Sequence, residues 1–67
     1  MQWTLKMLRV RNNWTQEEAG KAIGVSERTW SNWENFKTFP DVPKIKQIES
    51  VFGVTYDDIK FLQENTV

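Results

Sequence analysis

The sequence contains no cysteine and no histidine. Without cysteine there is no disulfide to brace a small fold and no thiolate to hold zinc. Without histidine the usual acid or base near neutral pH is missing, and so is the common imidazole metal ligand. Hydrolytic chemistry is therefore a poor prospect, and neither a metal nor another cofactor is expected. Apolar runs are short, far below the roughly 20 residues a spanning helix needs, and Met1 begins no basic-then-apolar signal. The expectation is a soluble cytoplasmic protein with no membrane partner. No repeat, low-complexity tract or linker interrupts the 67 residues, so residues 1–67 are read as one domain with a frayed tail from about Gln63. A chain of this length buries only about 60% of the surface its unfolded form exposes, which demands an efficient core.

A surplus of charge is also absent. Nine Lys and Arg balance nine Asp and Glu, which weighs against nucleic-acid binding, because such domains usually neutralise several phosphates. The charges are nevertheless unevenly spread. Residues 1–40 carry Lys6, Arg9, Arg11, Lys21, Arg28 and Lys37 against Glu17, Glu18, Glu27 and Glu34, a local excess of +2. Residues 41–67 carry three basic and five acidic side chains, a local balance of −2.

The spacing predicts five helical segments and no strand, since no stretch alternates apolar and polar residues for long enough. Thr4 is placed to cap a helix running to about Asn12, with Leu5 and Leu8 inward and Trp3 lapping back over Leu8. Trp14, before the next helix, reads as a core plug. Thr15-Gln16-Glu17-Glu18 is a capping box opening helix two, whose Ala19, Gly20 and Ile23 face inward and whose end is Gly24. Gly20 in mid-helix costs about 1 kcal/mol relative to Ala and is expected to let the next helix cross closely. Ser26 caps helix three. At about 100° per residue, Trp30, Trp33 and Glu34 fall on its packed side and Arg28, Asn32 and Asn35 on the other.

Helix four is expected to start at Asp41 or Val42, with Pro43 in its first turn, Ile45, Ile48 and Phe52 inward and Gly53 at its end. Thr55-Tyr56-Asp57-Asp58 is read as the cap of a short fifth helix whose Tyr56, Ile59 and Leu62 complete the core. Acidic residues sit mainly at helix starts, where capping explains them, so no enzymatic role is expected.

From Leu5 to Ile59 this order of residues resembles the lambda-repressor-like, Cro-type helix-turn-helix family of phage and bacterial transcription regulators, which includes the xenobiotic-response-element type. The resemblance rests on Leu5, Leu8 and Arg9, on Thr15-Gln16, and on Ile23-Gly24-Val25-Ser26. It continues with Trp30, Trp33-Glu34-Asn35 and Pro40, then Gly53-Val54-Thr55 with Ile59. It implies a compact all-α, five-helix domain whose helices two and three form the helix-turn-helix. The implied function is sequence-specific binding of double-stranded DNA by a regulator, read as a repressor, with no small-molecule ligand.

The same resemblance implies roles for residues. Glu27, Arg28, Ser31 and Asn32 would face base edges, and Arg28 could donate twice to guanine. Thr15, Gln16, Asn35, Lys37 and Thr38 would meet phosphates. Glu27 has a plainer role as a first-turn helix stabiliser. Arg9 and Glu34 would form a partly buried ion pair. Where the family prefers glycine after Glu34-Asn35, this chain has Phe36. The left-handed backbone there costs phenylalanine energy, which leaves the path of the loop open, and with it the contacts of Asn35, Lys37 and Thr38. Phe36 and Phe39 fit core packing, a homodimer seam or base stacking. Balanced charge and loop aromatics also suit an antitoxin-like or adaptor module that binds another protein.

Overall fold

The computed structural model describes residues 2–62. Four α-helices carry the fold: α1 (Leu5–Arg11), α2 (Gln16–Ile23), α3 (Glu27–Glu34) and α4 (Val42–Phe52). Each begins where a short polar side chain replaces a missing backbone partner. Thr4, Thr15, Ser26 and Asp41 accept from the amides of Met7, Glu18, Thr29 and Lys44, at 3.1, 3.1, 3.1 and 3.2 Å. The capping box of α2 is complete, because the Thr15 amide also donates to Glu18 Oε1 at 2.9 Å.

All four helices end alike. Asn13, Gly24, Phe36 and Gly53 adopt left-handed backbones with φ of 58°, 88°, 60° and 67°. In each case the amide of the following residue returns to a carbonyl five positions back: Trp14 to Arg9, Val25 to Gly20, Lys37 to Asn32 and Val54 to Glu49. This is the Schellman closure, which satisfies the exposed carbonyls at a helix end.

Leu5, Leu8, Ala19, Ile23, Trp30, Trp33, Ile48, Phe52 and Ile59 form one buried cluster, with Trp3, Trp14 and Val25 packed at its margin. Aromatic rings supply its centre. Trp30 has no solvent exposure, and its ring lies 5.9 Å from Trp33 and 6.1 Å from Phe52, while Trp14 lies 5.5 Å from Phe52. These tilted and edge-on contacts suit the ring quadrupoles as well as the burial of area.

The fifth helix does not form. Tyr56–Asp58 is a single 3-10 turn, followed by an extended pair, β2 (Ile59–Lys60), alongside β1 (Trp3–Thr4). The two strands are parallel, with Trp3 opposite Ile59 and Thr4 opposite Lys60. Asp58 Oδ2 accepts from the Thr55 amide at 3.3 Å and from its hydroxyl at 3.0 Å. These bonds cap the turn at its start, but Ile59 leaves it in an extended backbone to pair with Trp3 and reaches the core from there. The expectation of no strand is corrected with it, since a two-residue pairing has no alternation to detect. Nor do Tyr56 and Leu62 complete the core. They are 54% and 66% exposed, and Tyr56 stacks on Phe61 at 5.6 Å. The fray expected from Gln63 lies outside the described residues.

Phe36 reaches the conformation for which glycine is suited, so the loop after α3 turns without one. The left-handed backbone costs an ordinary residue roughly 1–2 kcal/mol, partly offset because glycine has more freedom to lose from the unfolded chain. With the ring removed in both variants, Phe36→Gly should be more stable than Phe36→Ala by about 1 kcal/mol. Urea unfolding midpoints measure the difference, and equal midpoints would show that the turn carries no such cost.

Candidate nucleic-acid interface

The turn between α2 and α3 is held by close backbone approach. A Cβ on Gly20 would lie 2.8 Å from the Val25 carbonyl oxygen and 3.1 Å from that of Ser26. The missing side chain therefore makes room for the turn itself, rather than for a crossing helix. Gly24 then closes α2, Val25 packs on the core, and Ser26 starts α3. Lys44, from the first turn of α4, brings its Nζ to 3.7 Å from the place a Cβ on Gly24 would occupy. A cation suits that position, where the carbonyl end of α2 is negative.

The attitude of α3 is fixed at its other end by one carboxylate. Glu34 Oε2 accepts from Arg9 Nε at 2.6 Å and from the Trp30 indole Nε1. Its Oε1 accepts from Arg9 Nη2 at 3.3 Å and from Gln16 Nε2 at 3.2 Å. Arg9 Nη1 also donates to the Trp14 carbonyl at 2.9 Å, just before α2. Side-chain exposure is 15% for Arg9 and 4% for Glu34, so the forked pair is screened little by solvent. Three helices thus meet at Glu34. The ion pair was legible in the sequence, whereas the contributions of Trp30 and Gln16 were not. A tryptophan four residues before a glutamate on one helix face was the available signal for the former.

The sequence-predicted residues fall into three groups. Glu27, Arg28, Ser31 and Asn32 share one face of α3, opposite buried Trp30 and Trp33. Glu27 and Arg28 are exposed, while Ser31 and Asn32 are half-buried. No side-chain partner engages Arg28 or Asn32 among the described residues. Thr15, Gln16, Lys37 and Thr38 lie at the start of α2 and in the loop after α3, with Thr15 committed to its cap and Gln16 partly committed to Glu34. Asn35 is turned back on its own helix, its Nδ2 donating to the Ser31 carbonyl at 3.0 Å and to Ser31 Oγ at 3.3 Å.

Arg11 contributes to structure. Its Nη2 donates to the Phe52 carbonyl at 2.6 Å, satisfying the end of α4, and its guanidinium carbon lies 5.0 Å from the centroid of the Trp3 ring.

Removing Arg9 would strand a buried carboxylate with only neutral donors. Arg9→Ala should destabilise the fold by about 3–5 kcal/mol, a large part of the stability available to so short a chain. Thermal unfolding followed by circular dichroism measures it, and an unchanged Tm would show that the pair contributes nothing.

Among known sequences, residues 5–59 match a family described as helix-turn-helix. No curated protein and no solved structure matches. No described helix is long and apolar enough to cross a membrane. The matched span covers all four helices, the turn at Gly24 and the Arg9–Glu34 pair. The chain belongs to the Cro/C1-type helix-turn-helix family of DNA-binding transcription regulators.

Proposed function

We propose that the protein is a sequence-specific repressor that reads double-stranded DNA by laying α3 in the major groove. The observation that carries this function is the exposed Arg28, without a side-chain partner among the described residues and one residue into a helix whose opposite face is locked by Trp30, Trp33 and Glu34. A major groove about 12 Å wide admits a helix, and a guanidinium at its edge can donate twice to guanine O6 and N7. Asn32 lies one turn further along and can pair with adenine or hold a phosphate. Glu27 suits a cytosine amino group or simply the positive end of α3. Thr15, Gln16, Lys37 and Thr38 flank that face as phosphate contacts, and Asn35 joins them only by releasing Ser31. Enzymatic chemistry has little support, because Glu18, Asp41 and Asp58 are engaged in capping interactions.

Arg28→Ala should cost about 1–3 kcal/mol at one base position while leaving other positions nearly unchanged. Quantitative binding to a library of single-base variants, at fixed salt, measures this. Equal affinity of the unmodified protein for its preferred site and for shuffled DNA would remove base reading altogether.

The working unit is proposed to be a homodimer. Phe39, Val42, Tyr56 and Leu62 are 66%, 63%, 54% and 66% exposed. Phe39, Val42 and Tyr56 line an apolar groove of about 590 Å³ with Ile45, and Leu62 joins Phe39 and Tyr56 in the adjoining hollow. Phe36, by contrast, is half-buried. Two copies reading half-sites one helical turn apart would multiply a weak contact. The same groove favours the second reading, an antitoxin-like or adaptor module whose groove takes a different protein.

Sedimentation equilibrium separates the two. A dimer of the 8.0 kDa chain should become a monomer in Val42→Glu, with weaker binding to a two-half-site DNA, the helical circular dichroism retained, and a Tm that no longer rises with protein concentration. A chain that is monomeric both free and on DNA would leave the groove to another partner.

A further inference from the structure

The apolar groove beside α4 has charged edges, and their arrangement bears on which of its two candidate occupants it fits. Phe39, Val42, Ile45 and Tyr56 line it together with Asp41, Lys46 and Glu49. At about 100° per residue, Asp41 and Lys46 stand about 140° apart around the helix axis, with Ile45, Glu49 and Val42 between them. One edge is therefore anionic and the opposite edge cationic. Glu49 is engaged within the chain, since its Oε2 accepts from the Tyr56 amide at 2.8 Å. Asp41 uses one oxygen: Oδ1 caps α4 by accepting from the Lys44 amide at 3.2 Å, and Oδ2 has no partner among the described residues. Lys46 is exposed and has neither an ion pair nor a hydrogen bond among the described residues, although Glu49 stands at a spacing that often pairs.

We infer that the groove is a self-complementary seam for a second copy of this chain, joined by a two-fold that exchanges the edges and sets Lys46 of each copy against Asp41 of the other. The inference rests on the proposed homodimer and fixes how its copies meet. Two-fold symmetry makes the contact reciprocal, so one match of anionic edge to cationic edge yields two ion pairs. The alternative two-fold, which lays each edge on its own copy, sets Asp41 on Asp41 and Lys46 on Lys46 and is opposed by like charge. A different protein would have to match both edges, whereas a second copy carries the match already. Affinity comes from burying Phe39, Val42, Ile45 and Tyr56. Ion pairs at such a rim add little to it, and their effect is to choose one arrangement over the other.

The experiment is sedimentation equilibrium, at low and high salt, of the 67-residue chain, of Asp41→Asn, Lys46→Gln and Lys46→Glu, and of Asp41→Asn combined with each Lys46 change. Asparagine caps a helix about as well as aspartate, so Asp41→Asn removes charge and keeps α4, which circular dichroism checks in every variant. Asp41→Asn and Lys46→Gln should each raise the dimer Kd about three- to tenfold, because each removes both symmetric pairs at once. Combined, the two neutral changes should cost no more than one of them. Lys46→Glu should weaken the dimer more than Lys46→Gln does, and should lose that extra penalty in Asp41→Asn, where no anion faces it. High salt should weaken the native dimer and narrow these differences. A native chain that stays monomeric, free and on two-half-site DNA, overturns the homodimer itself and leaves the groove to a different protein. A native dimer whose Kd is unmoved by Asp41→Asn and Lys46→Gln, or whose losses simply add, overturns this inference alone. A dimer tightened by Asp41→Asn places like edges together and overturns it as well.

Discussion

The carboxylate of Glu34 is the constraint on which the rest depends. It is nearly out of solvent and carries a charge, so it must be answered locally or it destabilises the fold. The answer recruits a guanidinium from α1, an amide from the first residue of α2 and an indole from its own helix. No one of these elements can shift without costing a hydrogen bond at a desolvated charge, which is more demanding than apolar contact alone. Apolar packing tells α3 that it belongs against α2. The charge cluster tells it at which rotation and depth, and that is what a helix needs if its outer side chains are to meet a ligand in register.

Tryptophan makes this compatible with a small core. In a chain of 67 residues every buried side chain must supply much area, and Trp30 supplies a large ring to the centre while its one polar atom finds Glu34. The backbone accommodates the bulk by economy elsewhere. Gly20 allows the turn carbonyls of Val25 and Ser26 to come within contact of α2, and four helices are closed by the same left-handed device in minimal chain length. Only Phe36 meets that device with an ill-suited side chain. Its ring is half-buried, so the packing it gains stands against the backbone cost it incurs.

Much of this was legible because it is local. Caps are written within four residues, helix faces within eight, and the stops at Gly24 and Gly53 in single residues, and these placed α1 to α4 closely. Arg9 and Glu34 are 25 positions apart, and only the family resemblance joined them. The segment after Gly53 was misread for the complementary reason. Thr55 to Asp58 carries a sound cap signature, but whether a helix follows was decided by the remote pairing of Ile59 with Trp3, which leaves no periodic trace. At the site, the residue types facing outward from α3 were readable from helical geometry. Their mutual bonds were not, because whether Asn35 turns outward or back onto Ser31 is a choice between rotamers that composition does not reveal.

Balanced charge bears on how such a protein would discriminate. Two of the cations in the first forty residues are spent internally, Arg9 on Glu34 and Arg11 on Trp3 and the end of α4. Since Arg9 and Glu34 cancel, the surface of that half still carries its small positive excess, but few side chains are left to displace counterions from phosphates. Affinity for any duplex should then be low and only weakly dependent on salt. For a regulator this is less of a handicap than it sounds, because phosphate attraction strengthens binding to the many wrong sites as well as to the right one. A weakly attracted protein loses hold of both, and the ratio between them is left to base contacts made by a rigid helix. Under the proposed function, selectivity therefore depends on the stiffness of α3, and that stiffness comes from a buried charge which never meets the DNA.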